Sequence, residues 1–123
     1  MRDAALRVLY ESVKARVGVD FEHFSKSLDG WNITPLEQDG ELIGAFIERD
    51  GEIHVGYGSK PKGSIVKHIN ETLRRLVDEM GAVTTKVSEQ NIAGLRFCKR
   101  LGFIETMRDS GIVFMRCERC NYA

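Results

Sequence analysis

Two Asp-Gly dipeptides, Asp39-Gly40 and Asp50-Gly51, stand one strand's length apart near the middle of the chain. A two-residue hairpin whose twist suits its flanking strands needs positive φ at both central positions, and Asp-Gly meets that need at low cost. The segments around these turns, Trp31 to Leu36, Leu42 to Ile47 and Glu52 to Tyr57, are short and alternate in polarity. They predict an antiparallel meander of three strands, the first interrupted by Pro35.

On either side of the meander the period changes. Residues 3–17 set Ala4, Ala5, Leu6, Val8, Leu9, Val13 and Val17 at helical spacing, with Gly18 to end the helix. A shorter helix over 20–28 has Asp20 as its cap and Phe21, Phe24 and Leu28 on one face. After the meander, Gly56 to Gly63 reads as a loop. Ser64 to Met80 reads as an amphipathic helix with Ile65, Ile69, Leu73, Leu76 and Val77 inward, closed by Gly81. A strand at Ala82 to Val87, a helix at Ile92 to Leu101 closed by Gly102, and strands at Phe103 to Met107 and Ile112 to Met115 complete the order α-α-β-β-β-α-β-α-β-β. The fold class expected is α/β. A strand–loop–helix–strand unit implies a right-handed crossover, so the sheet should be mixed and mainly antiparallel, with a central parallel strand pair and flanking helices. No repeat or linker divides residues 1–123, and a single domain is expected.

Charge narrows the classes of partner. The chain has 18 basic and 18 acidic residues and a formal net charge of zero. A protein that coats nucleic acid draws its affinity from neutralising phosphates and carries a basic excess. Here the basic residues gather only locally, at Lys60, Lys62 and Lys67 and at Arg96, Lys99 and Arg100, which suits a small phosphorylated ligand better than a polynucleotide. No apolar run approaches the roughly 18 residues of a membrane span. Three cysteines give no even-numbered disulfide framework and the amphipathic start is unlike a signal peptide, so a reducing, cytoplasmic setting is expected. Cys117 and Cys120 form a C-x-x-C that supplies two of the four ligands a structural zinc needs, and no metal is expected.

Two segments bear on chemistry. The loop before the long helix offers Lys60, Lys62, Gly63 and Ser64 at a helix N-terminus. There, backbone N–H groups and the helix dipole favour phosphate, and glycine lets a ligand approach closely. A plain connection between strand and helix explains the loop as well. The second segment is NIAGLRFCKRLGF, Asn91 to Phe103. Asn91 precedes the helix as its N-cap, and Cys98 sits within the helix, where a free cysteine is often a small buried hydrophobe.

The spacing of Asn91, Phe97, Gly102 and Phe103 resembles the N-x-x-A-x-x-F-Y-x-x-x-G-F helix of the GNAT acyl-CoA N-acyltransferases, with Gly94 in place of the usual Ala. The elements before it agree in order, so the resemblance covers roughly residues 30 to 116. It implies an enzyme that moves an acetyl or other acyl group from acetyl-CoA, as co-substrate, to a primary amine on a small molecule or protein. The family's pyrophosphate loop, [RQ]-x-x-G-x-[GA], falls on Lys60, Gly63 and Ile65; Ile65 departs from the pattern. Cofactor contacts are thereby implied at Val55, Tyr57, Lys60, Lys62, Gly63, Ser64 and Asn91, with backbone N–H groups near Val55 to Tyr57 facing the oxyanion. Cys98 stands where the family often places a Tyr that protonates the leaving thiolate. Glu52 and His54, two residues apart on one face of the third strand, are implied as bases for the amine, with Glu48 as a third choice. The departures at Ile65 and Cys98, and the lack of a strand before the first helix, also fit a degenerate GNAT-like module without catalysis, of the kind some tailed bacteriophages encode. An exposed strand in such a sheet leaves a homodimer open.

Overall fold

A computed structural model describes residues 2–59, 63 and 65–118, with backbone alone for 65–67. Its elements are α1 (Arg2–Val17), α2 (Phe21–Ser27), β1 (Asn32–Gln38), β2 (Glu41–Arg49), β3 (Glu52–Tyr57), α3 (Ile65–Met80), β4 (Val83–Ser88), α4 (Ile92–Leu101), β5 (Ile104–Asp109) and β6 (Ile112–Cys117). The order of helices and strands is the one expected. The chain divides into two compact units, Met1–Lys62 and Gly63–Ala123. No helix among the described residues is long and apolar enough to cross a membrane.

In the first unit β1, β2 and β3 form the expected antiparallel meander. Asp39 and Gly40 have φ of 55° and 79°, and Asp50 and Gly51 have φ of 52° and 86°, so both turns use positive φ twice, as the dipeptides require. Asp20 caps α2: its Oδ1 accepts from the His23 N–H at 2.9 Å. One face of the meander is covered by α1 and α2. Ala5, Leu6 and Leu9 of α1, with Phe24 and Leu28, meet Ala45 and Ile47 of β2 in a buried cluster, and Tyr10, Val13, Phe21, Trp31 and Ile33 pack around it. Only Ala5, Leu6 and Leu9 of the seven apolar α1 positions are fully buried; Val17 lies at the helix end and is exposed.

Pro35 does not interrupt β1, which runs unbroken through it opposite Ala45. The reason lies in the hydrogen-bond parity. Gly58 N–H donates to the Ile43 carbonyl at 2.8 Å, which makes Ile43 and Gly58 a bonded pair. Bonded pairs alternate along an antiparallel ladder, so Ala45 faces β3 and its neighbours Gly44 and Phe46 face β1. Pro35 is therefore in a non-bonded position, with its nitrogen turned to the outer edge, where proline costs no ladder bond.

In the second unit β6 lies between β4 and β5 and pairs antiparallel with both. Ile69, Leu73, Leu76 and Val77 of α3 are buried at the i, i+4, i+7, i+8 spacing of an amphipathic helix. Val83, Thr85, Val113, Met115 and Cys117 are the buried strand positions. Helix α4 ends on Gly102, at φ 114°, with Phe103 N–H donating to the Cys98 carbonyl and Gly102 N–H to the Lys99 carbonyl. These are the two bonds of a Schellman cap. They make Gly102 a conformational requirement and set Phe103, 2% exposed, into the core. The Gly-Phe of the motif is thus explained by helix termination and packing.

Candidate active site

The meander brings three strand ends together. The β1–β2 register sets Asn32 against Glu48, which places Trp31 beside Arg49, and the β2–β3 register sets Arg49 against Glu52. The Arg49 guanidinium lies 4.8 Å from the Trp31 ring centroid, a cation–π geometry. The Trp31 ring in turn packs on His54, with centroids 5.8 Å apart. On β3, Glu52 and His54 share one face, and Glu52 Oε2 lies 2.7 Å from His54 Nε2. Both side chains are half-buried, at 26% and 34% exposed, so water reaches the pair without fully screening it. A proton on Nε2, donated to Glu52, leaves the lone pair on Nδ1 and makes His54 a proton acceptor oriented by a carboxylate.

Glu48 has a different task. It is 7% exposed, its Oε1 accepts from Asn32 Nδ2 at 2.9 Å and its Oε2 accepts from the Gly51 N–H at 3.0 Å. Both oxygens are committed to holding β1 and the second Asp-Gly turn, so Glu48 is a structural carboxylate. Val55 and Tyr57 occupy non-bonded positions of the β2–β3 ladder, so their backbone N–H groups point away from β2. Burial pushes the Tyr57 phenol up to about 12.

The loop expected to hold phosphate is described only at Gly63, which is exposed with φ 81°. Lys60, Lys62 and Ser64 lie outside the described residues, as does Cys120. In the second unit, Asn91 caps α4: its Oδ1 accepts from the Gly94 N–H at 3.0 Å. The side chain folds closely over Gly94, where a Cβ would meet Asn91 Nδ2 at 2.5 Å unless the amide turned aside. Asn91→Ala should lower unfolding stability by about 1 kcal/mol. Asn91→Asp, which keeps the accepting oxygen, should restore most of it in urea denaturation.

Cys98 lies within α4, is half-buried and is a free thiol; Cys117 on β6 is fully buried. Burial pushes the Cys98 thiol up to about 11, with Cys117 adding to the shift. It stays protonated at neutral pH and is a more reluctant proton donor than an ordinary cysteine thiol, whose value is about 8.5. Among the described residues no group of three or more His, Cys, Asp or Glu could hold a metal ion.

Within the first unit, then, the fold joins Glu52 to His54 and sets Val55 and Tyr57 on the same strand; within the second, Asn91 opens α4 and Cys98 lies further along it. Trp31 and Arg49 were not legible as site residues, because the register that aligns the strand ends is a tertiary fact.

No family model matches the sequence, and no curated protein does. Solved structures do match in fold. A ribosomal-protein-alanine N-acetyltransferase from Brucella melitensis superposes with a TM-score of 0.67 at 17% identity, over 96% of this chain and 94% of that one. The N-acetyltransferase PseH from Campylobacter jejuni, solved with acetyl coenzyme A, gives 0.68 at 16% identity, over 93% and 89%. PH1933 from Pyrococcus horikoshii gives 0.73 at 12% identity, over 96% and 90%. The fold is that of the GNAT N-acetyltransferases, the family that Asn91 to Phe103 resembles.

Proposed function

We propose, on the premise of an N-acetyltransferase fold, that this chain transfers an acetyl group from acetyl-CoA to a primary amine. The observation that carries the reading is the Glu52–His54 pair on β3, in a fold whose solved examples include acetyltransferases holding acetyl coenzyme A or coenzyme A. In this reading the amine nitrogen attacks the acetyl carbonyl carbon, and His54 Nδ1 takes the proton the nitrogen gives up. The oxyanion is met by backbone N–H groups near Val55 to Tyr57, and the carbon–sulfur bond then breaks to release the thiolate of CoA. Lys60, Lys62, Gly63 and Ser64 are the residues we assign to the pyrophosphate, and Asn91 to the pantetheine arm in addition to its cap. The free thiol at Cys98 suits a reducing compartment such as the cytoplasm.

One observation favours a second reading, a binding module without catalysis. The position that should return a proton to the thiolate holds Cys98, whose thiol sits at about 11. Calorimetric titration with acetyl-CoA separates the two readings. Saturable binding in the micromolar range, lost in Gly63→Glu, is expected. Absence of heat at millimolar acetyl-CoA would sink the enzyme.

A further inference from the structure

The second unit carries an exposed strand edge whose backbone and charges complement themselves. All of β5 is exposed, and Ile104 and Met107 are 67% and 52% exposed. The direction of its backbone groups follows from one hydrogen bond. Glu89 N–H donates to the Gly111 carbonyl at 2.9 Å, which extends the β4–β6 ladder and makes Val113 and Met115 face β4. Ile112, Phe114 and Arg116 therefore face β5, where they oppose Asp109, Met107 and Ile104. The remaining pair, Arg108 opposite Val113 and Glu105 opposite Met115, turn their N–H and C=O outward. A bulge between Glu105 and Met107 inserts Thr106, whose hydroxyl donates to the Phe114 carbonyl at 3.2 Å.

The bulge spaces the outward groups three residues apart where a regular strand would space them two apart. A second copy of β5 carries the same spacing and matches it residue for residue. In a two-fold antiparallel pairing, Glu105 falls opposite the partner's Arg108, and Arg108 opposite the partner's Glu105. Both bonded pairs are then in register, each exchanging two N–H···O bonds. The same register sets opposite charges directly across the seam at both places. In one chain Arg108 already holds Glu105 at 2.8 Å and 3.1 Å, keeping that carboxyl below its ordinary range. Arg108 Nη1 also lies 3.8 Å from Glu89 Oε2, so in the pair the partner's Glu105 is a third carboxylate at each guanidinium. The outer edge of β1 differs, because Pro35 turns its nitrogen there and offers no donor.

We propose that this chain forms a two-fold homodimer through β5, paired antiparallel with Glu105 opposite the partner's Arg108. The seam is short, so association should depend on concentration. Sedimentation of the full chain from low micromolar to near-millimolar concentration should show the mass doubling. Arg108→Glu and Glu105→Arg each place like charges across the seam and should each remain monomeric with unchanged circular dichroism. Mixed in equal amounts they place opposite charges across it, and the dimer should return as a heterodimer. In the unaltered chain, hydrogen exchange at the Glu105 and Arg108 amides should slow as concentration rises. A monomer at every concentration, dimers that survive either single substitution, or a mixture that stays monomeric would each overturn the proposal.

Discussion

His54→Ala should lower kcat for acetyl transfer by roughly 10²- to 10⁴-fold, the span a positioned general base contributes, and leave the affinity for acetyl-CoA nearly unchanged. In the proposed mechanism the base acts on the amine, so its loss would be felt when the proton must leave. Glu52→Gln should cost less. The amide can still accept from Nε2 at the 2.7 Å site but no longer stabilises the imidazolium that forms when Nδ1 takes the proton. Cys98→Ala is the contrast: with its thiol at about 11, removal should change kcat only a few-fold. Release of CoA thiol, followed over a panel of polyamines, amino acids and short peptides with free N-termini, measures all three. Unchanged rates in His54→Ala would remove the base from the proposed mechanism. Loss of rate in Cys98→Ala, with acetyl-CoA binding intact, would move the proton-donating role onto that thiol.

The meander was legible because its determinants are local. Asp-Gly carries its own backbone preference, and Asp39, Gly40, Asp50 and Gly51 adopt the positive φ that the dipeptide favours. The Glu52–His54 pair was legible for the same reason: a period of two puts both on one face whatever lies around them. Pro35 was misread because its effect depends on which way a nitrogen points in an edge strand, and the register decides that. Glu48 was equally opaque. As sequence it is one more carboxylate on a strand, but its position beneath the second turn lets one oxygen hold Gly51 and the other Asn32. The motif at Asn91 to Phe103 proves to be mostly architecture: a cap at Asn91, a close contact at Gly94 and a Schellman ending at Gly102. These features recur wherever this helix must start, pack and stop in the same place, so they mark the fold more firmly than the reaction.

What sequence could not show at all is the demand on Gly56. A Cβ at Gly56 would clash with Leu9 Cδ1 and lie 2.6 Å from Ser12 Oγ, because α1 crosses β3 at this point. Leu9 is 4% exposed and sits in the buried cluster with Ala45 and Ile47, so it has little room to turn aside. Ser12 is tied by its hydroxyl to the Leu9 carbonyl at 2.6 Å. Gly56→Ala should therefore destabilise the chain by about 1–3 kcal/mol, the usual cost of forcing extra volume into a packed core, read as a lower urea midpoint. Gly58→Ala is milder, since its Cβ would meet Val8 Cγ1 at 3.0 Å, where a small adjustment suffices. Leu9→Ala alone should cost about 2–5 kcal/mol through the cavity it leaves. Combined with Gly56→Ala it should cost less than the sum, because the new methyl group occupies part of that space. Strict additivity would mean that α1 does not bear on β3 through Leu9. The same contact reaches the proposed chemistry, since Gly56 and His54 are two residues apart on one face of β3. A helix pushed off Gly56 is pushed off the face that carries His54, so Gly56→Ala should lower kcat even under conditions where the chain remains folded.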